Sequence, residues 1–227
     1  MKTRLALLTC AVTALLSPAL AAVSEADHAA LRAAYDTARH AFHLRADGTR
    51  AARNPGQQWE TVFDGRGFTA RPDAGGWEWG LALRGVSVGG TVLDLRPGVG
   101  HTVVTGTRLS QERGAGLTEW FVNDGRGLEQ GWTLARPPAG ADGVIRLSLE
   151  VRGGLKPVVG AASVGFVDAA GGTVLSYGGL KAWDATGRVL AARFSEAAQG
   201  GLALTVEAAG AAYPVTIDPI AQQAYIK

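Results

Sequence analysis

Apolar residues recur along this chain with two different periods. Between Ser24 and Gly48, Leu31, Tyr35, Ala38 and Phe42 fall at i, i+4, i+7 and i+11, one face of an amphipathic N-terminal helix. Ser24 and Asp27 have the spacing of a capping box, and Gly48 is a suitable C-terminal stop. From Trp59 onward the period drops to 2, and glycine interrupts the sequence roughly every ten residues, as expected of many short antiparallel strands. In VIRLSLEVR, Ile145, Leu147, Leu149 and Val151 face one way and Arg146, Ser148, Glu150 and Arg152 the other. Trp77, Trp79, Leu81 and Leu83 likewise share a face, which reads as core rather than as a sugar-stacking platform.

Further strands are predicted at Thr91 to Leu95, Val103 to Arg108, Val164 to Asp168, Thr173 to Tyr177, Val189 to Phe194, Leu202 to Glu207 and Tyr213 to Ile217. Pro214 confines the last of these to an edge or a strand start. No βαβ alternation and no phosphate-cradling glycine loop occurs, so the fold class is all-β, an antiparallel β-sandwich with one helix packed outside. The expected organisation is a helical segment over 22–50, a sandwich over 51–219 with a sub-boundary near 136–142, where Pro137 and Pro138 stand, and a tail over 220–227.

The motif Asp64-Gly65-Arg66-Gly67 recurs as Asp124-Gly125-Arg126-Gly127, and both copies read as tight hairpin turns. If Asn123 to Gly127 forms the second turn, Val122 pairs with Leu128, Phe121 with Glu129 and Trp120 with Gln130. Trp120, Val122, Leu128, Trp132 and Leu134 then form a core face, and Glu119 and Glu129 become diagonal neighbours on the opposite face, about 7–8 Å apart at Cβ. That separation is near the roughly 6.5–9.5 Å of inverting glycosidases, which makes this pair the candidate for acid/base chemistry.

Composition and charge narrow the function classes. MKTRLALLTCAVTALLSPALA has Lys2 and Arg4 ahead of a short apolar run and an Ala-Leu-Ala site, the pattern of a secretory signal peptide over 1–21. It predicts a secreted or cell-surface protein. The apolar run is shorter than the roughly 20 residues of a membrane span, so no transmembrane segment is expected. Cys10, the only cysteine, lies within that leader, so no disulfide and no cysteine nucleophile is expected after processing. The chain has 22 basic and 20 acidic residues, and loss of Lys2 and Arg4 leaves the mature chain formally neutral. No basic run remains to neutralise phosphates, so no nucleic-acid partner is expected.

Two further constellations are candidates. Asp36, His40 and His43 have a helical spacing that could supply three metal ligands, but a solvated face is the preferred reading, because nothing else in the helix fixes those imidazoles. Trp183 beside Asp184, on a short turn, is the best candidate for a carbohydrate-binding aromatic. There is no Gly-x-Ser-x-Gly elbow and no His-Glu-x-x-His, and no cofactor is expected.

The segments ARNPGQQWETVFDGRGF, TEWFVNDGRGLEQGWTL, LSYGGLKAWDATGRVLAARF and AAYPVTIDPIAQQAYIK are similar to the N-terminal domain of large bacterial secreted proteins whose later regions are FG-GAP (integrin-α-like) β-propeller repeats. The matching positions include Glu119-Trp120, Asn123, Gly127 to Gly131, Tyr177, Leu180, Asp184-Ala185, Gly187, Tyr213-Pro214 and Ile217 to Pro219. The resemblance implies an extracellular β-rich module without an enzymatic role, set ahead of a propeller. Its partner would be a cell-surface glycan or protein. The chain stops at QQAYIK, about where the first propeller repeat would begin.

Overall fold

The structure is a computed structural model, and it describes residues 24–96 and 102–223. The segment 1–21 expected to be a signal peptide, including Cys10, lies outside the described residues. Helix α1 spans Glu25–His40, and its N-terminus is closed by the expected capping box. The Asp27 amide donates to the Ser24 hydroxyl at 3.1 Å, while the Asp27 carboxylate accepts from the Ser24 amide at 3.2 Å. The helix ends ten residues earlier than 22–50 predicts. Ala41 is extended, and Phe42, counted as the fourth apolar position of the helix, instead opens strand β1, Phe42–Leu44. Phe42 is drawn out of helical register by the core, where it meets Phe63 edge-on at 5.2 Å. Leu31 and Tyr35 consequently remain more than 60% exposed, so the stripe that announced the helix is not a packed one.

The rest of the described chain is two antiparallel sheets. The first is built from β1, β2 (Arg50–Asn54), β3 (Trp59–Phe63), β4 (Phe68–Pro72), β5 (Trp79–Val88), β11 (Val144–Gly153), β16 (Leu202–Glu207) and β15 (Ala192–Glu196), in that spatial order, with β6 (Thr91–Val92) on the far end of β5. The second runs β12 (Lys156–Val159), β13 (Ser163–Val167), β14 (Thr173–Trp183), β17 (Val215–Gln223), β10 (Gly127–Leu134), β9 (Leu117–Asp124), β8 (Arg108–Glu112) and β7 (Thr102–Thr105). This is the expected all-β sandwich with one helix.

Between the sheets lie fully buried Trp59, Trp79, Trp132, Phe68, Phe121, Phe166 and Tyr177. Phe121 of the second sheet sits edge-on to Phe63 and Phe68 of the first at 4.8 and 5.7 Å, and Trp79 meets Phe166 across the same gap at 5.0 Å. Trp79 and Leu81 are buried, and Trp77 and Leu83 pack at the rim, so the tryptophan stripe is core.

Several predicted boundaries move. Val103 to Arg108 is two strands, turned at Gly106, where φ is positive. The expected end of the sandwich at 219 falls inside β17, so Ile220 to Gln223 are central strand and not tail. Pro219 has no N–H to give the ladder, and β14 answers with a register shift between Gly178 and Lys181. The segment 136–142 carries the chain from the second sheet to the first. It does not divide two sub-layers, because each sheet takes strands from both sides of it.

Candidate functional site

The β9–β10 hairpin closes with Asp124 opposite Gly127 and only Gly125 and Arg126 in the turn. The Asp124 carboxylate accepts from the Arg126 amide at 2.8 Å and tightens it. Leu128 therefore pairs with Asn123, Gln130 with Phe121 and Trp132 with Glu119, one residue away from the register expected from the sequence. With a side-chain period of 2, that single slip exchanges the faces of β9. Leu117, Glu119, Phe121 and Asn123 point inward with Leu128, Gln130, Trp132 and Leu134, whereas Trp120 and Val122 lie outside with Glu129, Gly131 and Thr133. Glu119 and Glu129 are thus on opposite faces of the sheet, and the diagonal acid/base pair does not form.

Glu119 is wholly buried, and its counter-ion is Arg113, 3% exposed. Arg113 Nε donates to Glu119 Oε2 at 2.7 Å, Gln130 Nε2 donates to Oε1 at 2.8 Å, and the Tyr177 hydroxyl donates to Gln130 Oε1 at 2.9 Å. Burial, then the nearby Glu119 charge, pushes the Tyr177 phenol far above its ordinary value. From the other side Arg113 Nη1 donates to the Gly65 carbonyl at 2.8 Å, so the network runs from β14 through β10 and β9 to the turn between β3 and β4. Both Glu119 oxygens are occupied by internal donors.

Asn123 forms a second internal anchor. Its Nδ2 donates to the carbonyls of His40 at 2.9 Å and Arg53 at 2.8 Å, while its Oδ1 accepts from Asn54 Nδ2 at 2.8 Å. The end of α1, the first sheet and the hairpin turn are joined at this one buried amide pair.

Trp120 is buried, 6% exposed, but outside the central core, and this corrects its assignment to the core face. Its ring lies across Gly131, where a Cβ would come within 2.1 Å of it. Arg108 covers it with its guanidinium 4.3 Å from the ring centre, and Nε1 donates to Thr133 Oγ1 at 3.2 Å. Beside it Glu129 pairs with Arg126 Nη2 at 2.9 Å and shares a hydrogen bond with Asp218 of β17. Burial first, then the hydrogen bond and charge of Glu129, push the Asp218 carboxyl up to about 7. Asp218 is the residue that sequence reasoning missed. Its signal was available in the alternation of Val215-Thr216-Ile217-Asp218, but its partner was hidden by the unknown strand order.

The remaining candidates are separated. Trp183 is half-buried at the end of β14, but Asp184 beside it is 3% exposed and faces inward to its own loop. It accepts from the Thr186 hydroxyl at 2.6 Å and from the amides of Thr186, Arg188 and Ala212, and it pairs with Arg188 Nε at 3.1 Å. The Thr186 hydroxyl and these donors hold its carboxyl well below the usual carboxylate range. Asp184 therefore organises a loop and offers nothing beside Trp183. His40 is buried with Nδ1 donating to the Asp36 carbonyl at 2.7 Å, whereas His43 is exposed on β1, beyond the helix end that the spacing assumed. Among the described residues no group of three or more His, Cys, Asp or Glu side chains is placed to hold a metal ion.

The fold and these polar anchors define an all-β, two-sheet sandwich with one N-terminal helix, and among the described residues no helix is long and apolar enough to cross a membrane. No protein-family model, curated protein or solved structure matches the chain.

Proposed function

We propose that this chain is a non-catalytic β-sandwich module of an exported protein, structural or adhesion-associated, of the kind that precedes FG-GAP propeller repeats. The observation that carries the reading is the state of the polar residues at the resembling positions. Glu119, Asn123, Gln130 and Asp184 are all at most 3% exposed, and their polar atoms bond to other groups of the same chain. A catalytic carboxylate needs access to a substrate bond and a partner in the same cleft, and Glu119 has neither. The same residues instead fix the hairpins and loops that hold two sheets together, the role of a scaffold.

The test uses the purified mature chain with a broad polysaccharide panel, alongside surface attachment of a host strain lacking the protein. Release of no reducing ends, and attachment restored by re-expression, are the expected results. Hydrolysis abolished by Glu129→Gln or Asp218→Asn, with folding intact by circular dichroism, would overturn the reading. Export is checked by the mass of the native protein, expected to begin after Ala21 or Ala22.

A further inference from the structure

At the margin of the sandwich, four arginines converge on one cavity. Its volume is about 340 Å³, and it is lined by Arg66, Leu83, Arg84, Leu95, Arg96 and Arg113. Arg66 comes from the turn between β3 and β4, Leu83 and Arg84 from β5, Leu95 and Arg96 from the segment after β6, and Arg113 from the residue just after β8. Two of the four charges are already matched, Arg113 by Glu119 and Arg84 by Glu150 of β11. Arg66 and Arg96 make no ion pair among the described residues. The nearby Asp64 carboxylate is taken by Arg152 and by the amides of Arg66 and Gly67.

The two unmatched guanidinium groups are held on fixed backbone. Buried Arg113 donates from Nη1 to the Gly65 carbonyl at 2.8 Å and from Nη2 to the Arg66 carbonyl at 3.4 Å, which ties down the turn that carries Arg66. Its own carbonyl accepts from the Arg96 amide at 2.7 Å, which ties down the segment that carries Arg96. One interior residue thus holds from behind the two backbone segments that carry these exposed cations, while Leu83 and Leu95, packed against the core, give the cavity an apolar floor. An uncompensated pair of forked donors beside an apolar wall matches a planar or tetrahedral oxyanion borne on a compact body.

We propose that this cavity binds an oxyanion group, a carboxylate, sulfate or phosphate, between Arg66 and Arg96, with Leu83 and Leu95 taking the apolar side of the molecule that bears it. The volume suits a ligand about the size of one sugar or amino-acid unit. The site does not depend on the assignment of the chain as a non-catalytic module.

The test follows arginine side-chain NMR signals of the whole chain while sodium sulfate, sodium phosphate or sodium glucuronate is added at low, constant ionic strength, with chloride as control. Saturable shifts of the Arg66 and Arg96 signals are expected, with affinity lost about tenfold or more in Arg66→Ala or Arg96→Ala and unchanged in Arg193→Ala, whose guanidinium pairs elsewhere with Glu207. Tighter binding of glucuronate identifies an acidic saccharide as the bearer, and equal or tighter binding of the inorganic ions identifies the free anion. Arg66→Lys and Arg96→Lys, which keep the charge and lose the fork, are expected to weaken binding with unchanged melting curves, and they serve if the alanine variants unfold. Shifts no larger than those of chloride, or binding that survives in both variants, would overturn the proposal.

Discussion

Replacing Glu119 by glutamine removes one charge from an ion pair that water does not reach. The Glu119 and Arg113 side chains are 0% and 4% exposed, so the guanidinium left behind keeps its full desolvation penalty. Removing one partner of a buried pair costs about 3–5 kcal/mol. The amide oxygen of the new glutamine still accepts one hydrogen bond, from Arg113 or from Gln130, which places the expected loss near the lower end, about 3 kcal/mol. For a chain of this size that corresponds to a melting temperature lower by roughly 6–12 °C. Urea unfolding followed by circular dichroism measures it, with Glu207→Gln, whose side chain is 47% exposed and pairs with Arg193 at the surface, as the control expected to stay within about 1 kcal/mol of the parent. A double variant, Arg113→Met with Glu119→Leu, removes both charges and should lose less than the two single changes added together. The reasoning fails if Glu119→Gln is as stable as the control, or if the two substitutions are simply additive.

Asp218 gives a pH dependence of defined sign. Its carboxyl titrates at about 7 in the folded chain against an ordinary 3.8, so its contribution to stability is fully present below about pH 4, declines between there and pH 7, and is flat above. The full linkage would be about 4 kcal/mol, which solvent screening at this half-exposed site reduces to about 1–2 kcal/mol. Asp218→Asn should therefore be the more stable protein at pH 8 and differ little at pH 4, as read from paired urea titrations. Gly131→Ala drives a methyl group into the Trp120 ring and should cost about 1–3 kcal/mol, with a changed tryptophan emission spectrum reporting the displaced ring. Asn123→Ala leaves the carbonyls of His40 and Arg53 without their donor, and it should destabilise by about 1–3 kcal/mol and accelerate amide exchange in the last turn of α1.

The parts of the fold legible in the sequence are those set by local chemistry. The capping box of α1, the turn at Asp64 and the alternation in β5 and β11 depend on residues a few positions apart, and they stand where the pattern puts them, whereas the turn at Asp124 forms one residue tighter than expected. Strand β2 was not legible, because its buried positions are Ala51, Ala52 and Asn54, which carry no apolar alternation. The site was misread for a physical reason of the same kind. Counting Trp120 inward and Glu119 outward follows hydrophobicity, but a glutamate is stable inside when Arg113, 6 residues earlier, is buried with it. The tryptophan is stable outside because Gly131 gives it a flat bed and Arg108 a cover. Neither compensation is visible until the strands are placed beside one another, and the same holds for Asp218 and Glu129, which lie 89 positions apart in the chain.

The route of the chain through the two sheets has a kinetic consequence. It changes sheet after β6, β10, β11, β14 and β16, and β17, at Val215–Gln223, is wedged between β14 and β10 at the middle of the second sheet. A chain emerging in order cannot seal that sheet until residue 223 is available. Until then β10 and β14 each present a row of unpaired N–H and C=O groups, the edges along which partly folded chains stick to one another. Pairings of such long range are slow to form, and neither sheet is complete on one side of 136–142. A protease cut at 136–142 should thus yield two pieces that stay associated while folded and separate only in denaturant, and neither piece alone should show a cooperative melting transition.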